Sequence, residues 1–369
     1  MNIFYMNSVG KETWGGVEKW MLLSARGLRD RGHRVHCCGR PDSLFLQACA
    51  KAEFSTFPLD IGSDFGPGNI ARLAAFFRRE RIDAIIANLN KDVRLAGVAG
   101  WFAGRPALLA RAGLALLPNN WKYRLTYKAL ADGIITNTNA IREKYLSYHW
   151  LEERFVRVIY NGIDTESLLA QDPATIRKEL DLPEQGPVIG IFGRLVPQKQ
   201  HTVFLEVAKN ILNEWPDALF LIVGDGPRKT EIQQYASDLG IIAHLYMTGF
   251  REEVMPLYQG CDVVLLTSAV EGLPNVVMEA MLAGRAVVAF DVGGVHEVIT
   301  SPQTGRVVPP NDIYLMTQNT LELLAAPETR REIGDAARSF IRDNFSLERM
   351  VRSVEAYLEE VVAEKGRRA

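Results

Sequence analysis

The chain of 369 residues contains no apolar run of eighteen or more, which excludes a membrane-spanning helix of ordinary length. Its first residues, MNIFYM, lack the basic start and long apolar middle of a signal peptide. The four cysteines form no CxxC pair and the six histidines have no metal-binding spacing, so neither a disulfide framework nor a zinc module is predicted. We therefore expect a cytoplasmic protein with reduced, buried thiols and no bound metal.

Charge is distributed unevenly along the chain, although the net charge is only −2. Residues 1–158 carry 23 Lys and Arg against 14 Asp and Glu, a net of +9. Basic and aromatic residues gather in RRERI (78–82) and NNWKYRLTYK (119–128). A basic N-terminal half favours an anionic partner, for example the inner membrane surface. A solvated cationic helix face explains the two basic segments equally well. No nucleic-acid recognition motif is present, so no nucleic acid partner is predicted.

Short apolar runs alternate with longer amphipathic ones, which is the pattern of βα units and a parallel sheet. It predicts an α/β protein with two Rossmann-like, doubly wound domains, residues 1–160 and 187–346, joined by a linker at 161–186 that is rich in turn formers. Such sheets bind ligands outside the carboxyl ends of their strands. The predicted strands are 2–6, 34–38, 54–57, 83–87, 107–110, 133–137, 155–159, 187–192, 218–223, 244–247, 262–266, 286–289 and 306–308.

The segment EGLPNVVME (271–279) places two glutamates eight positions apart around a Gly-Leu-Pro-Asn turn. It follows the apolar run CDVVLLTS and begins a helix predicted over 275–283, with Pro274 suited to the first turn. Free amides at a helix start favour a phosphate, and Glu271 and Glu279 can accept hydrogen bonds from sugar hydroxyls. An isolated match of this kind is more often an ordinary helix start with two solvated glutamates. The amides expected to donate are those of Gly272, Leu273, Asn275 and Val276.

Three more segments follow predicted strands. GRLVPQKQH (193–201) supplies Arg194 and Lys199, whose cationic ends can converge on one diphosphate. In GGVEKW (15–20), Gly15 and Gly16 let backbone N–H groups approach a ligand, and Glu18 is either a helix-start residue or a functional one. The glycines of VGDGP (223–227) fit a tight turn, and the full G-x-G-x-x-G fingerprint is absent, which argues against dinucleotide binding.

The order and spacing of these four segments along the chain resemble those of the retaining GT-B glycosyltransferases of family 4, and the resemblance is strongest over 155–310. The resemblance implies two domains facing across a cleft: an acceptor-side domain (1–160) and a nucleotide-sugar-binding domain (187–346). A last helix (347–364) would pack back on the first domain. The implied activity is metal-independent, retaining transfer of a hexose-type sugar without a cofactor. The implied donor is a UDP- or GDP-sugar, and the acceptor is a cell-surface glycan or a lipid-linked acceptor, such as lipopolysaccharide core.

The resemblance also implies a role for each motif residue. Arg194 and Lys199 would clamp the diphosphate, and Glu271 would hold the donor sugar; these three are the implied catalytic residues. Glu279 would bind the ribose, and the base would rest against Thr248–Arg251 through the main chain. The implied donor-binding residues are Gly15, Gly16, Gly193, Arg194, Lys199, Thr248, Phe250, Arg251, Glu271, Gly272, Leu273, Pro274, Asn275, Val276 and Glu279.

The sequence departs from the family at one place. Many relatives have a histidine in the first domain that faces the donor sugar, whereas ANLNKD (87–92) and LARAGL (109–114) contain none. Asn88, Asn90, Lys91 or Arg111 can take its place against the donor sugar or the acceptor. The implied same-face displacement uses the leaving phosphate as the base, so a dedicated protein base is not required. Two alternatives are a GT-B sugar-nucleotide epimerase and a non-catalytic GT-B partner subunit.

Overall fold

The computed structural model describes residues 1–61, 66–113, 117–169, 176–180 and 182–367. The chain forms two compact units: unit 1 comprises residues 1–162 and the C-terminal stretch from 347, and unit 2 comprises residues 163–346. The change of unit falls inside the segment 161–186, of which residues 170–175 and 181 lie outside the described residues. Leu114, the last residue of LARAGL, also lies outside them.

Unit 1 is built on a parallel sheet of seven strands in the order β3-β2-β1-β4-β5-β6-β7. Its strands are β1 (Asn2–Asn7), β2 (Arg34–Gly39), β3 (Ser55–Pro58), β4 (Ala84–Ala87), β5 (Ala107–Ala112), β6 (Gly133–Thr136) and β7 (Val156–Val158). The helices between them are α1 (Gly16–Asp30), α2 (Leu44–Lys51), α3 (Pro67–Glu80), α4 (Asn90–Trp101), α5 (Trp121–Leu130) and α6 (Asn139–Leu146).

Unit 2 is built on a parallel sheet of six strands in the order β10-β9-β8-β11-β12-β13. Helices α7 (Thr165–Leu169) and α8 (Ile176–Glu179) precede its strands, which are β8 (Val188–Phe192), β9 (Leu219–Val223), β10 (Leu245–Gly249), β11 (Val263–Leu266), β12 (Ala286–Phe290) and β13 (Arg306–Val308). The later helices are α9 (His201–Glu214), α10 (Lys229–Asp238), α11 (Met255–Gly260), α12 (Asn275–Leu282), α13 (Val295–Val298), α14 (Ile313–Ala325) and α15 (Pro327–Asn344).

The last helix, α16 (Leu347–Gly366), belongs to unit 1 and packs against α1. Gly27 of α1 allows this approach, because a Cβ there would lie 2.3 Å from Cγ2 of Val351. At the other end of α16, the Lys365 ammonium donates to the carbonyl of Pro106 at 2.9 Å and also bonds to Asp132. Helix α16 therefore covers one face of the unit 1 sheet with its apolar side, as the buried Val354 and Leu358 show.

All thirteen predicted strands are confirmed, with ends that differ by at most two residues. Most of them are recognisable because strands covered by helices on both faces are almost continuously apolar. Helices α2 and α6, of eight residues each, are among the short helices that the sequence pattern did not predict. Their one local signal is the N-cap: Ser43 accepts from the amide of Leu46, and Thr138 accepts from the amide of Ile141.

The order of strands reverses at two places, between β1 and β4 in unit 1 and between β8 and β11 in unit 2. Connections leave the sheet on opposite faces at such a point, which leaves room for a ligand beyond the carboxyl ends of the two strands. None of the helices in the described parts of the chain combines the length and apolar character needed to cross a bilayer.

Candidate functional site

In unit 2, the loops that follow β8 and β11 bring together two residues that are 72 positions apart. Lys199 ends a short 3₁₀ turn after β8, and Glu271 follows β11. The Lys199 Nζ atom lies 2.6 Å from Glu271 Oε1, and the two side chains are 17% and 10% exposed. Arg194 comes two residues after β8; it is exposed and forms no ion pair within the part of the chain that the structure describes. The loops at the switch point therefore carry one ion pair and, at Arg194, one exposed guanidinium that can bind an anion.

Two glycines shape the backbone around this pair. Gly193 has a φ of 140°, and a Cβ on it would lie 3.3 Å from Cε of Lys199. Gly293 has a φ of 55°, and a Cβ on it would lie 1.9 Å from the carbonyl oxygen of Glu271. The next amide, that of Gly294, donates to the carbonyl of Gly272 at 2.8 Å. Gly293 therefore packs directly against the turn that carries Glu271. Any larger residue at position 293 would displace that turn.

The start of α12 differs in one detail from the prediction. Pro274 is the N-cap residue rather than part of the first turn, and the helix begins at Asn275 as predicted. Within the described chain, the amides of Gly272, Leu273 and Val276 donate to no protein oxygen. Val276 lies in the first turn of α12, and Gly272 and Leu273 lie in the turn before it. Unused N–H groups at this place favour an anion, because the helix dipole is positive at this end. The local geometry is thus compatible with the predicted phosphate site.

Glu279 lies inside α12 and is buried, with 9% of its surface exposed. Its Oε2 accepts a hydrogen bond from the hydroxyl of Tyr258 at 3.1 Å. Glu271 is also largely buried, so the alternative of two solvated glutamates is wrong. Tyr258 is absent from the predicted site, because a tyrosine in an apolar helical segment gives no local sign of its partner.

The segment predicted to hold the base, Thr248–Arg251, comprises the last two residues of β10 and the two residues that follow. The Thr248 hydroxyl donates to the carbonyl of Gly249 at 3.0 Å, and the Phe250 side chain is exposed. Arg251 forms an ion pair of 2.9 Å with Glu179 of α8, which the sequence pattern did not indicate. This pair positions Arg251 at the surface of unit 2, close to the exposed ring of Phe250 in the chain.

In unit 1, the two glycines lie where they were predicted. Gly15 is the extended N-cap of α1, and Gly16 is its first residue. Glu18 is buried in the first turn and accepts from the side-chain amide of Asn7 at 3.1 Å. Glu18 therefore connects α1 to the carboxyl end of β1. Its negative charge in the first turn of α1 also interacts favourably with the helix dipole.

Arg111 is almost completely buried in β5, with 4% of its surface exposed. Its guanidinium lies 5.1 Å from the centre of the Trp20 ring and donates to Oδ1 of Asn161 at 3.5 Å. Burial lowers the pKa of Arg111 to about 10, while the nearby charge of Glu18 favours its protonated form. The sequence indicated Arg111, but not Trp20 or Asn161, which approach it only through the order of the strands.

The other three candidates of unit 1 lie at the start of α4 and are half-buried. The Asn88 side chain donates to Oδ1 of Asn7 at 3.0 Å, and Asn90 accepts from the Tyr127 hydroxyl at 2.6 Å. Asn88 and Arg111 thus belong to polar groups at the carboxyl ends of neighbouring strands, whereas Asn90 is engaged by α5. Lys91 lies beside them, and the roles of all four stay predictions.

Within the described ranges, no three His, Cys, Asp or Glu side chains form a group that would hold a metal ion. The four cysteines are free and buried, as predicted.

His201, the first residue of α9, is a buried imidazole next to the Lys199–Glu271 pair. Both of its ring nitrogens lack a hydrogen-bond partner among the residues that the structure describes. Burial, together with the charges of Lys199 and Arg228, lowers the pKa of His201 to about 4. The unfolded chain therefore binds a proton at His201 at a higher pH than the folded one does.

This difference predicts a loss of stability in acid. Neutral His201 contributes fully above its unfolded pKa near 6.5, and the contribution is lost as the pH falls from there towards 4, by about 2 kcal/mol at pH 5. We expect the melting temperature of His201→Leu to fall less than that of the native protein between pH 7.5 and pH 5. Asp92, whose pKa burial raises to about 6, acts in the opposite direction in both proteins and cancels in this comparison. Parallel falls in both proteins would contradict the assignment.

Two family models match the chain and meet near the change of unit. The Glycosyltransferase Family 4 model matches residues 14–167, and the model described as Glycosyl transferases group 1 matches residues 172–340. Together they cover most of the chain. The second match contains Arg194, Lys199, Glu271 and Glu279.

Two curated relatives illustrate the range of similar proteins. The lipopolysaccharide core biosynthesis glycosyltransferase LpsE of Rhizobium meliloti is 25% identical over 350 residues, which are 94% of this chain and 95% of that protein. The UDP-Gal:alpha-D-GlcNAc-diphosphoundecaprenol alpha-1,3-galactosyltransferase of Escherichia coli is 27% identical over 259 residues, which are 66% of this chain and 67% of that protein.

Solved structures agree with the fold. A glycosyltransferase from Rickettsia africae superposes with a TM-score of 0.87 at 19% identity and covers 98% of both chains. HepE from Anabaena, in complex with UDP, superposes with a TM-score of 0.85 at 22% identity, over 98% of this chain and 100% of HepE. Since the family models and the fold lead to the same class, the chain belongs to the GT-B glycosyltransferases of the family 4 and group 1 type.

Proposed function

We propose that the protein is a retaining, metal-independent glycosyltransferase that moves a hexose-type sugar from a UDP- or GDP-sugar to a growing cell-surface glycan or lipid-linked acceptor. The observation that carries this proposal is the arrangement at the switch point of unit 2. There Lys199 and Glu271 form a 2.6 Å pair, and the same two loops contain Arg194 and the unused amides of Gly272, Leu273 and Val276. Cations and amides suit a diphosphate, and carboxylates suit hydroxyl groups, which are the two parts of a nucleotide sugar.

The proposed reaction is a displacement on one face of the donor sugar. The bond between C1 and the phosphate oxygen breaks, and the acceptor oxygen bonds to C1 from the same side. The acceptor proton passes to the leaving phosphate oxygen, so the stereochemistry at C1 is retained. Arg194 and Lys199 stabilise the negative charge that grows on the diphosphate. Glu271 orients the donor sugar, and Glu279 binds the ribose.

The relatives support the donor and acceptor classes. HepE binds UDP in its solved structure, and the Escherichia coli relative is named for a UDP-galactose donor and a diphosphoundecaprenol-linked acceptor. LpsE is named for lipopolysaccharide core synthesis. We therefore propose a UDP-sugar as the first donor to test, a glycan or lipid-linked acceptor, and work at the cytoplasmic face of the membrane.

The test of the proposal is a donor assay in EDTA. Purified protein is incubated with UDP-glucose, UDP-galactose, UDP-GlcNAc and GDP-mannose, and release of UDP or GDP is measured with and without a lipid-linked oligosaccharide. We expect release with one of these donors to persist in EDTA, because two side-chain cations neutralise the diphosphate. A matching nucleoside diphosphate should also stabilise the fold, by about 2.7 kcal/mol at a hundred times its dissociation constant.

Three results would contradict the proposal in different ways. Loss of release in EDTA that Mg²⁺ restores would refute metal independence. An epimerised nucleotide sugar without transfer would favour an epimerase, and absence of both release and nucleotide binding would favour a non-catalytic subunit. NMR of the product distinguishes retention from inversion by the coupling of the anomeric proton.

The membrane partner is proposed from the exposed face of α5. Trp121 and Leu125, four residues apart, are 71% and 63% exposed and lie on the same side of the helix. Lys122, Arg124 and Lys128 are exposed around them, and α5 contains no acidic residue. Apolar side chains surrounded by cations are typical of helices that lie on anionic lipid, so we propose anionic phospholipid as the partner of this face.

We expect the protein to bind vesicles that contain phosphatidylglycerol, and to bind them less as salt rises, because exposed charges are screened beyond about 10 Å at 0.1 M salt. The double variant Trp121→Ala, Leu125→Ala should bind several-fold more weakly in vesicle sedimentation. Tyr314→Ala is the control, since Tyr314 is similarly exposed, at 69%, but lies on α14 of unit 2. Equal binding to neutral and anionic vesicles, or an equal effect of the control, would contradict the assignment.

A further inference from the structure

Tyr258 of α11 is a buried tyrosine whose hydroxyl has one particular partner. Tyr258 is 1% exposed, and its hydroxyl donates to Oε2 of Glu279 at 3.1 Å. Burial and the nearby Glu279 carboxylate raise the pKa of Tyr258 well above its usual value. The phenol therefore stays protonated at neutral pH, and its hydroxyl can only donate to this carboxylate.

The ring of Tyr258 is held in place by the end of β8. It stacks on Phe192, with the two ring centres 3.7 Å apart and the planes 19° apart. Phe192 is the last residue of β8, directly before Gly193 and Arg194. Gly190 lies two residues before Phe192 in β8. A Cβ added to Gly190 would lie 2.9 Å from the Phe192 ring and 2.6 Å from Sγ of Cys261. The ring of Tyr258 is therefore packed against the end of the strand that leads into the loop with the proposed diphosphate clamp.

One tyrosine thus joins two parts of the proposed donor site, the end of β8 and the carboxylate on α12. A buried carboxylate keeps one orientation only where donors hold its oxygens, and the fixed hydroxyl holds Oε2. We propose that Tyr258 is a positioning residue that orients Glu279 for the ribose hydroxyls of the donor nucleotide. This inference rests on the proposed function, in which Glu279 binds the ribose.

The inference predicts an effect that depends on the ribose hydroxyls themselves. Tyr258→Phe keeps the ring and its stacking but removes the hydroxyl. UDP should then bind about three- to tenfold more weakly, the loss expected for one hydrogen bond. Binding of 2′,3′-dideoxy-UDP should be unchanged, because it has no hydroxyl for Glu279 to accept from. The donor KM should rise with the same ratio while kcat stays within about twofold.

The chain offers a matched control in Tyr235→Phe. Tyr235 of α10 donates to Oε1 of Glu206 in α9 at 2.9 Å, so this variant removes a similar Tyr–Glu bond from the same unit. It should leave the affinity for both nucleotides unchanged. Glu279→Gln is the second reference, and the double variant Tyr258→Phe, Glu279→Gln should bind UDP no more weakly than Glu279→Gln alone, since the tyrosine acts through the glutamate.

Isothermal titration of these variants with both nucleotides separates the possible failures. If Glu279→Gln discriminates UDP from its dideoxy analogue and Tyr258→Phe does not, the inference is wrong and the proposed function stands. Equal losses for both nucleotides in Tyr258→Phe would show a purely structural role and also overturn it. If Glu279→Gln itself does not discriminate, the ribose assignment fails and the inference fails with it. GDP and its dideoxy analogue replace the uridine pair if the native protein binds GDP instead, and binding of neither rejects both proposals.

Discussion

Replacing Arg194 with alanine is expected to lower kcat by about a hundredfold, with a much smaller change in the donor KM. The negative charge of the diphosphate grows as the glycosidic bond breaks, so a cation beside it stabilises the transition state more than the bound donor. Arg194 is exposed and has no ion pair among the described residues, so its removal leaves no buried partner uncompensated. Steady-state kinetics with the donor found in the release assay measure both constants.

Lys199→Ala should lower kcat at least as much, but it has a second consequence. Lys199 forms the 2.6 Å pair with Glu271, and its removal leaves a largely buried carboxylate without its cation. We therefore expect Lys199→Ala also to lower the melting temperature, which Arg194→Ala should not do. Lys209→Ala, at an exposed position of α9, is the control and should have native constants. Near-native kcat in both clamp variants at saturating donor would show that the clamp is misassigned.

Gly293→Ala is expected to damage stability and turnover together. A Cβ at Gly293 would lie 1.9 Å from the carbonyl oxygen of Glu271, so the turn that carries Glu271 has to move. The left-handed φ of 55° adds strain for alanine, and overlap and strain together should cost about 2–5 kcal/mol. For a unit of this size, we expect the melting temperature to fall by about 10 °C. Turnover should fall with it, even at temperatures where the variant is folded.

Gly240→Ala separates strain from overlap. Gly240 also has a positive φ, of 70°, but a Cβ there meets nothing within 4 Å. We expect a loss of only about 1–2 kcal/mol in this variant, from the backbone conformation alone, and native turnover. If both glycine variants had the same melting temperature and the same activity, the contact behind Glu271 would have no importance for the site.

The sequence by itself determined the strands of the protein and the identity of most candidate residues, because both are local properties. Thirteen apolar strands separated by amphipathic helices predict two doubly wound sheets, and both sheets are present. The helix start at Asn275, with Glu279 one turn inside it, is visible in nine residues of sequence. The assignment of Pro274 to the first turn was wrong by one position, since Pro274 is the N-cap residue. The exact cap position depends on backbone angles that the residue types alone do not specify.

Only the tertiary structure decided which of these residues meet. Lys199 contacts Glu271 because β8 lies beside β11, although β9 and β10 come between them in the chain. In unit 2, tertiary packing also brings the ring of Tyr258 onto Phe192 and its hydroxyl to Glu279. In unit 1, it places Arg111 over Trp20 and next to Asn161. No local pattern encodes these contacts. They depend on the order of the strands, which is selected by the packing of the whole sheet and its helices rather than by any one segment.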